Sequence, residues 1–297
     1  MPFAPDVPPV GGGVASTPHP CARSRRAGLA WPDDRLHGSI DFSLARGIGT
    51  FDAAFRLVHD QYVWRDYMKP RPSGRRLSVH HALPTTKVFV AHAGCDVVGT
   101  VTLIQDSLIG LPMDDLYRAE LALLREDGRL VAEVSALALH PDHRAAGAGI
   151  LLRLNRMLVI YAAEVARLDD LCIVVNPRHA GFYHRFLEFE RFGRLTTFAK
   201  VNGAPAAALR LDLRFVRDVI DRVQAAGEGG RDRLHDFLFG PDNYQQVMDR
   251  LLRNLCEPAL TREWFSYFFP DEAALDGVEP SAGLERLRAF SRAGPPG

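Results

Sequence analysis

The spacing of apolar residues changes several times along the 297-residue chain, and each change marks an element. Residues 39–45 alternate at the two-residue period of a strand. From Thr50, a suitable N-cap, to about Met68, the residues Phe51, Phe55, Val58 and Tyr62 recur on one helical face. A loop rich in Pro, Arg and His follows over 69–84, and its His80-His81 pair reads as surface. Residues 87–93 and 97–105 form a hairpin pattern turned at Gly94-Cys95-Asp96. Residues 112–126 are helical in pattern, and 129–139 form a strand. The clearest helix spans 149–167, where Ile150, Leu151, Leu154, Leu158 and Tyr161 repeat at helical spacing. A short apolar strand at 171–175 precedes Pro177, which suits the first turn of another helix. Strands near 194–201 and 206–213 complete this part.

This order predicts an α/β fold, a mixed sheet with helices on both faces. Beyond Arg214 the pattern becomes helical, over 215–225, 232–239, 244–255 and 261–269, and its Phe, Trp and Leu content predicts packing onto the sheet. The chain therefore divides into a Pro/Gly-rich tail at 1–38, a core domain at 39–214, a helical extension at 215–280 and a tail at 281–297.

Charge and cysteine content narrow the function. The 36 basic and 36 acidic residues balance, so no net field draws the chain to nucleic acid or an anionic membrane. Cys21, Cys95, Cys172 and Cys256 are far apart and form no C-x-x-C pair, so neither a zinc site nor a disulfide framework is indicated. Cys172 reads as a buried strand residue. No apolar run reaches membrane-spanning length, and the expectation is a soluble cytoplasmic protein without a transmembrane segment.

One stretch carries chemistry. The strand at 129–139 holds a single carboxylate, Glu133, among apolar residues, and strand alternation places Glu133, Ser135 and Leu137 on one face. The strand runs into Arg144-Ala145-Ala146-Gly147-Ala148-Gly149 at the start of the clearest helix. Free N–H groups at such a turn, with the positive end of the helix dipole behind them, hold phosphate. A buried carboxyl can accept a proton from an amine, and partial burial raises its pKa toward the useful range. The alternative readings are a tight strand–helix turn and a structural glutamate paired with an arginine. His140 and His143 flank the turn without a third ligand, so no metal is expected. Asp114-Asp115 suits a helix N-terminus or a substrate ammonium.

The Arg144-x-x-Gly147-x-Gly149 turn and the element order resemble the GNAT superfamily of acyltransferases. A longer set of blocks is similar to N-acyl amino acid synthases of the FeeM type. These blocks are Pro84-Thr85-Thr86-Lys-Val-Phe-Val-Ala, the run from Asp106 through Asp114-Asp115 to Tyr117, Ala132-Glu133-Val-Ser135, the run from Val175-Asn176-Pro177 to Phe182-Tyr183, and Val201-Asn202-Gly203-Ala204-Pro205. LuxI-type autoinducer synthases share the Glu-x-Ser spacing, but their following Arg is Ala136 here, which speaks against a homoserine lactone product.

The resemblance implies a bacterial acyltransferase with a GNAT-like, mostly antiparallel sheet. It implies no tightly bound cofactor, an acyl-phosphopantetheine or acyl-CoA co-substrate, acyl carrier protein as partner and an amino-acid acceptor. In that reading Glu133 is the base, and Tyr183 either returns a proton to the departing thiolate or is a core aromatic. The family ending Tyr-x-x-x-Gly-Phe is one residue longer here, with Glu188 in place of Gly. Leu137, Leu139 and residues 144–149 bind the donor, and Asn176 bonds the pantetheine amide or caps its helix. Arg178 and His179 contact phosphate or the carrier. Tyr62, Trp64, Tyr67 and Met68, with Trp264, Phe265, Tyr267, Phe268 and Phe269, wall an acyl tunnel or pack an added layer. The alternatives are a short-chain acyl-CoA-dependent N-acetyltransferase and, in another class, a non-catalytic acyl-carrier or lipid sensor.

Overall fold

A computed structural model describes residues 40–198, 202–226, 233–240, 244–253 and 262–270. The tails at 1–38 and 281–297, Cys21 and Cys256, and the 199–201 end of one expected strand lie outside the described residues. Eight strands form the sheet: β1 (Ile40–Leu44), β2 (Lys87–Ala93), β3 (Asp96–Gln105), β4 (Val131–Leu139), β5 (Asp170–Val175), β6 (Glu190–Arg191), β7 (Thr196–Phe198) and β8 (Ala204–Asp212). Their order is β1-β2-β3-β4-β5-β8-β6, with β7 also on β8. Among the described strands β4 and β5 are parallel and the other pairs antiparallel. The mixed, mostly antiparallel sheet is therefore as expected.

A parallel pair needs a long crossover, and α3 (Gly147–Ile160) with its π turn at Tyr161–Val165 supplies it. Ile150, Leu151, Leu154 and Leu158 of α3 pack on one sheet face against Ala132, Val134, Leu137 and Leu139. Helices α5 (Leu213–Ala226), α6 (Arg233–Leu238) and α7 (Tyr244–Arg253) extend that core. On the other face, α1 (Gly47–Trp64) and α2 (Asp114–Glu126) pack Leu57, Val58, Tyr62, Tyr117 and Leu121 over Val131, Ala136, Ala138, Cys172 and Val174. A third core joins Phe51 and Phe55 of α1 to Trp264, Phe265 and Phe268 of α8 (Arg262–Phe268) and to Phe269. The remaining helix, α4 (Pro177–Leu187), follows β5.

Layers on both faces bury all nine residues of β4, which explains its near-continuous apolar sequence. The helical run Pro141–Val165 is long and apolar enough to cross a membrane, but it is mostly buried inside the protein. It is the core helix of this fold.

Helix boundaries differ from the sequence pattern for identifiable reasons. Helix α1 begins at Gly47 rather than at Thr50, after an extended Arg46 with no side-chain cap. It ends at Trp64, and the left-handed Asp66 (φ 59°) turns the chain. Helix α3 begins at Gly147 rather than Gly149 because a 3-10 turn at Pro141–Ala146 leads directly into it. A Cβ at Gly147 would lie 2.5 Å from Leu139 Cδ2, so this glycine lets α3 approach β4.

Acid–arginine pairs brace the start of β5. Asp170 is fully buried and accepts from Arg129 Nη2 at 3.0 Å and from Arg210 Nε. Asp169 accepts from Leu130 N at 3.0 Å and Arg214 Nε at 2.8 Å. These bonds tie the approach to β4, the start of β5 and the end of β8 together. Replacing Asp170 by Ala leaves two guanidiniums without their shared buried carboxylate. We expect a loss of about 3–5 kcal/mol in stability, measured as a lower midpoint in urea unfolding.

Candidate active site

Strand β4 changes phase in its middle. Ala136 is left-handed (φ 52°), and pairing with β3 jumps from Thr102↔Ser135 to Thr100↔Ala138, so β4 carries one extra residue. This is a β-bulge. Before it Val131 faces α1 and α2 while Ala132 and Val134 face α3; after it Ala136 and Ala138 face α1 and α2, and Leu137 and Leu139 face α3. The expected grouping of Glu133, Ser135 and Leu137 on one face is therefore wrong for Leu137. The same bulge coincides with the end of the parallel ladder, which runs from Val131↔Asp170 to Val134↔Ile173. Beyond Val134↔Ile173 no described pairing joins β4 to β5, so the two strands continue without ladder bonds between them.

Glu133 lies one pair before the end of this ladder, opposite Cys172. It is 4% exposed, and its Oε2 accepts from Met113 N at 2.7 Å. No described arginine pairs with it, so it is not the ion-paired glutamate of the alternative reading. Burial pushes its pKa up to about 8, with the Met113 N–H acting in the opposite direction. Burial likewise pushes the Cys172 thiol up and keeps it protonated. The Met113 donor is held by a bracket of charges: Arg125 Nε bonds Asp106 Oδ2 at 2.6 Å, Arg125 Nη1 bonds Asp114 Oδ1 at 2.7 Å, and Asp114 Oδ2 accepts from Leu111 N at 2.7 Å. Asp114 thus serves the helix start and Arg125, not a free ammonium site.

Both parallel strands deliver helix N-termini to the same end of the sheet. Helix α3 starts just after β4 and α4 just after β5, and ligands in α/β sheets commonly bind at such carboxyl ends. Arg144, at the α3 end, stacks with its Cζ 4.4 Å from the centre of the exposed Trp64 ring. Ala145 is exposed there, while Ala146, Gly147 and Gly149 are buried and Ala148 is half-buried. Asn176 caps α4, accepting from Arg178 N at 3.2 Å. Arg178 Nε donates to His179 Nε2 at 3.0 Å. His140 accepts from Asp142 N at 3.4 Å and caps the 3-10 turn. Among the described residues no group of three or more potential metal ligands occurs.

Tyr183 is fully buried, edge-on to Phe182 and Phe189. Burial, with Tyr62 nearby, raises its pKa, so it holds its proton. The two aromatic groups separate: Tyr62, Tyr67 and Met68 belong to the apolar cluster beside Glu133, whereas Trp264, Phe265, Phe268 and Phe269 pack behind α1. Trp64 is 61% exposed. The expectation that His80 and His81 are surface is overturned, since both are buried in a 3-10 turn at Val79–Ala82. His81 Nδ1 accepts from Ser78 N at 3.0 Å and its ring packs edge-on to Phe55, and burial lowers its pKa to about 3. Met113 and Arg76 are the site neighbours that residue pattern does not reveal. Met113 acts through its backbone N–H, and Arg76 is one of several arginines in one loop.

The FeeM family profile, described as N-acyl amino acid synthase FeeM, matches residues 53–212. The chain belongs to this family. It is an N-acyltransferase. A solved FeeM, an N-acyl amino acid synthase from uncultured soil microbes, is 30% identical over 61% of this chain and 94% of its own, with a TM-score of 0.53. BjaI, a CoA-dependent acyl-homoserine lactone synthase with SAM and isopentyl-CoA, is 18% identical over 66% and 97%, with a TM-score of 0.46. An N-acetyltransferase from Staphylococcus aureus Mu50 is 13% identical over 59% and 99%, with a TM-score of 0.40. A search of curated proteins found no match.

Two expectations follow from this geometry. Ala136→Gly keeps the bulge and the fold, whereas the β-branched Ala136→Val meets the left-handed backbone and lowers the melting temperature and the acyl-transfer rate together. The raised pKa of Glu133 means that its folded form binds the proton more tightly. Stability from this group is complete below about 4.5 and is lost as pH rises through about 8. Glu133→Gln therefore melts close to wild type at about pH 5 and higher than wild type at about pH 9, read by calorimetry across pH.

Proposed function

We propose that this enzyme moves a long-chain acyl group from the phosphopantetheine thioester of an acyl carrier protein to the amine of an amino acid. The observation that carries the reading is the buried Glu133 carboxyl beside the end of the β4–β5 ladder, on the two strands that α3 and α4 follow. The donor phosphate docks at Arg144–Gly149, and the pantetheine arm lies between β4 and β5 near Val174, where their pairing has ended. The amine lone pair attacks the thioester carbonyl, Glu133 takes the amine proton, and backbone N–H groups of 137–139 receive the developing oxyanion. Collapse breaks the C–S bond, and Tyr183 returns a proton to the thiolate. Tyr62, Tyr67, Met68, Leu111 and Met113 supply an apolar surface beside Glu133 suited to an acyl chain.

The second reading, a short-chain acyl-CoA donor, draws on the complete Arg-x-x-Gly-x-Gly turn. The 2.5 Å approach at Leu139 gives Gly147 a packing reason of its own, which weakens that argument.

Purified enzyme is offered acetyl-CoA, palmitoyl-CoA and palmitoyl-acyl carrier protein with an equimolar pool of amino acids, and products are read by mass spectrometry. The expected product is an N-palmitoyl amino acid, formed fastest from the carrier protein. Exclusive use of acetyl-CoA would falsify the long-chain reading. Glu133→Gln is expected to lower kcat about 100-fold or more with little change in donor KM. The rising limb of the wild-type pH profile toward about 8 is expected to disappear with it.

A further inference from the structure

Four partly buried arginines of this fold are matched by carboxylates: Arg125 by Asp106 and Asp114, Arg129 and Arg210 by Asp170, and Arg75 by Asp52. Arg76 differs from these four. It is half-buried, and its N–H bonds the Phe55 carbonyl at 3.0 Å, which fixes the loop onto α1. Its Cζ lies 4.2 Å from the centre of the Tyr62 ring. No described carboxylate pairs with it.

The surroundings of this guanidinium are those of the candidate active site. Tyr62 is buried in one cluster with Met113, whose N–H is bonded to Glu133. The Arg76 charge reaches Glu133, where it lowers the pKa against the larger effect of burial. It also reaches Arg71, whose pKa is lowered first by burial and then by Arg76. The other titratable groups that its charge reaches, Tyr62 and His81, are neutral and offer no counter-charge. Two like charges share this space, and an anion would relieve both. A guanidinium stacked on an aromatic face presents its planar fork for bidentate binding of a carboxylate.

We propose that Arg76 binds the α-carboxylate of the acceptor amino acid and so turns its amine toward Glu133. This rests on the acyltransferase reading above, in which Glu133 takes the amine proton. It makes the free α-carboxylate a condition of good turnover and selects amino acids against simple amines and esters. The bound carboxylate also cancels the Arg76 charge felt by Glu133, which strengthens Glu133 as a base during turnover.

The test is steady-state kinetics of wild type, Arg76→Gln and Arg76→Lys. The donor is palmitoyl-acyl carrier protein, and the acceptors are the best amino acid from the pool and its methyl ester. Wild type is expected to favour the free acid. Arg76→Gln raises the KM for the acid by about 10- to 100-fold, changes kcat little, leaves the donor KM unchanged and abolishes the preference. Arg76→Lys restores part of it. A donor KM that rises in place of the acceptor KM would assign the anion to the donor phosphate and overturn the proposal. An equal loss on acid and ester would reduce Arg76 to a structural role and overturn it as well. Wild-type acylation of the ester alone sinks the amino-acid reading and this proposal together. Acylation of the acid, with its preference unmoved in Arg76→Gln, sinks this proposal alone.

Discussion

Ala136 holds a left-handed backbone inside a strand that is buried from end to end. A non-glycine residue there costs about 1–3 kcal/mol and persists only where the surrounding packing over-determines it. Here α3 presses on Leu137 and Leu139 from one side, while α1 and α2 press on Ala136 and Ala138 from the other. The bulge inverts the phase of β4, and the parallel ladder to β5 ends beside it. Glu133 stays on the paired side of this point, where the sheet is rigid. Immediately beyond, no described pairing joins the two strands, and the helices that follow them start at this end of the sheet.

Burying a carboxyl at such a place is tolerable because the group is held neutral. With burial pushing its pKa up to about 8, Glu133 enters the fold largely as the acid near neutral pH and avoids most of the cost of a buried charge. The cost returns when the proton leaves, and the Met113 N–H then stabilises the anion. That donor is useful only if the 106–114 loop does not move. Arg125 clamps both Asp106 and Asp114, and Asp114 in turn holds Leu111 N two residues before Met113. The acidic residues of this loop therefore act on the site at one remove, by fixing a backbone donor.

Much of this was legible in residue pattern. The apolar run with one carboxylate identified Glu133, and the helical run after Arg144 identified α3, because periodicity and composition report burial directly. The bulge was not legible: alanine fits an ordinary strand as well as it fits this one, so strict alternation carried Leu137 to the wrong face. His80 and His81 looked exposed because their loop is polar. Their burial depends on Phe55 and on the Ser78 cap, which are contacts of the folded chain. Gly147 was read as part of a phosphate turn, yet its missing side chain is also needed for Leu139. One residue can satisfy both demands, and sequence alone does not separate them.

The end of α1 connects the two halves of the site. Tyr62 points into the cluster beside Glu133 and carries Arg76 on its ring, while Trp64, two residues on, carries Arg144 from the start of α3. Any shift of this helix end would move both guanidiniums relative to β4. The chain stops the helix there with the left-handed Asp66, and the Asn202 side-chain amide donates to the Asp66 carbonyl. Asn202 belongs to the 201–205 block that contributes to the family resemblance, and it follows Glu133 by a long stretch of sequence. Its role is intelligible once that bond is seen: the turn before β8 secures the end of α1, on which the positions of both stacked guanidiniums depend.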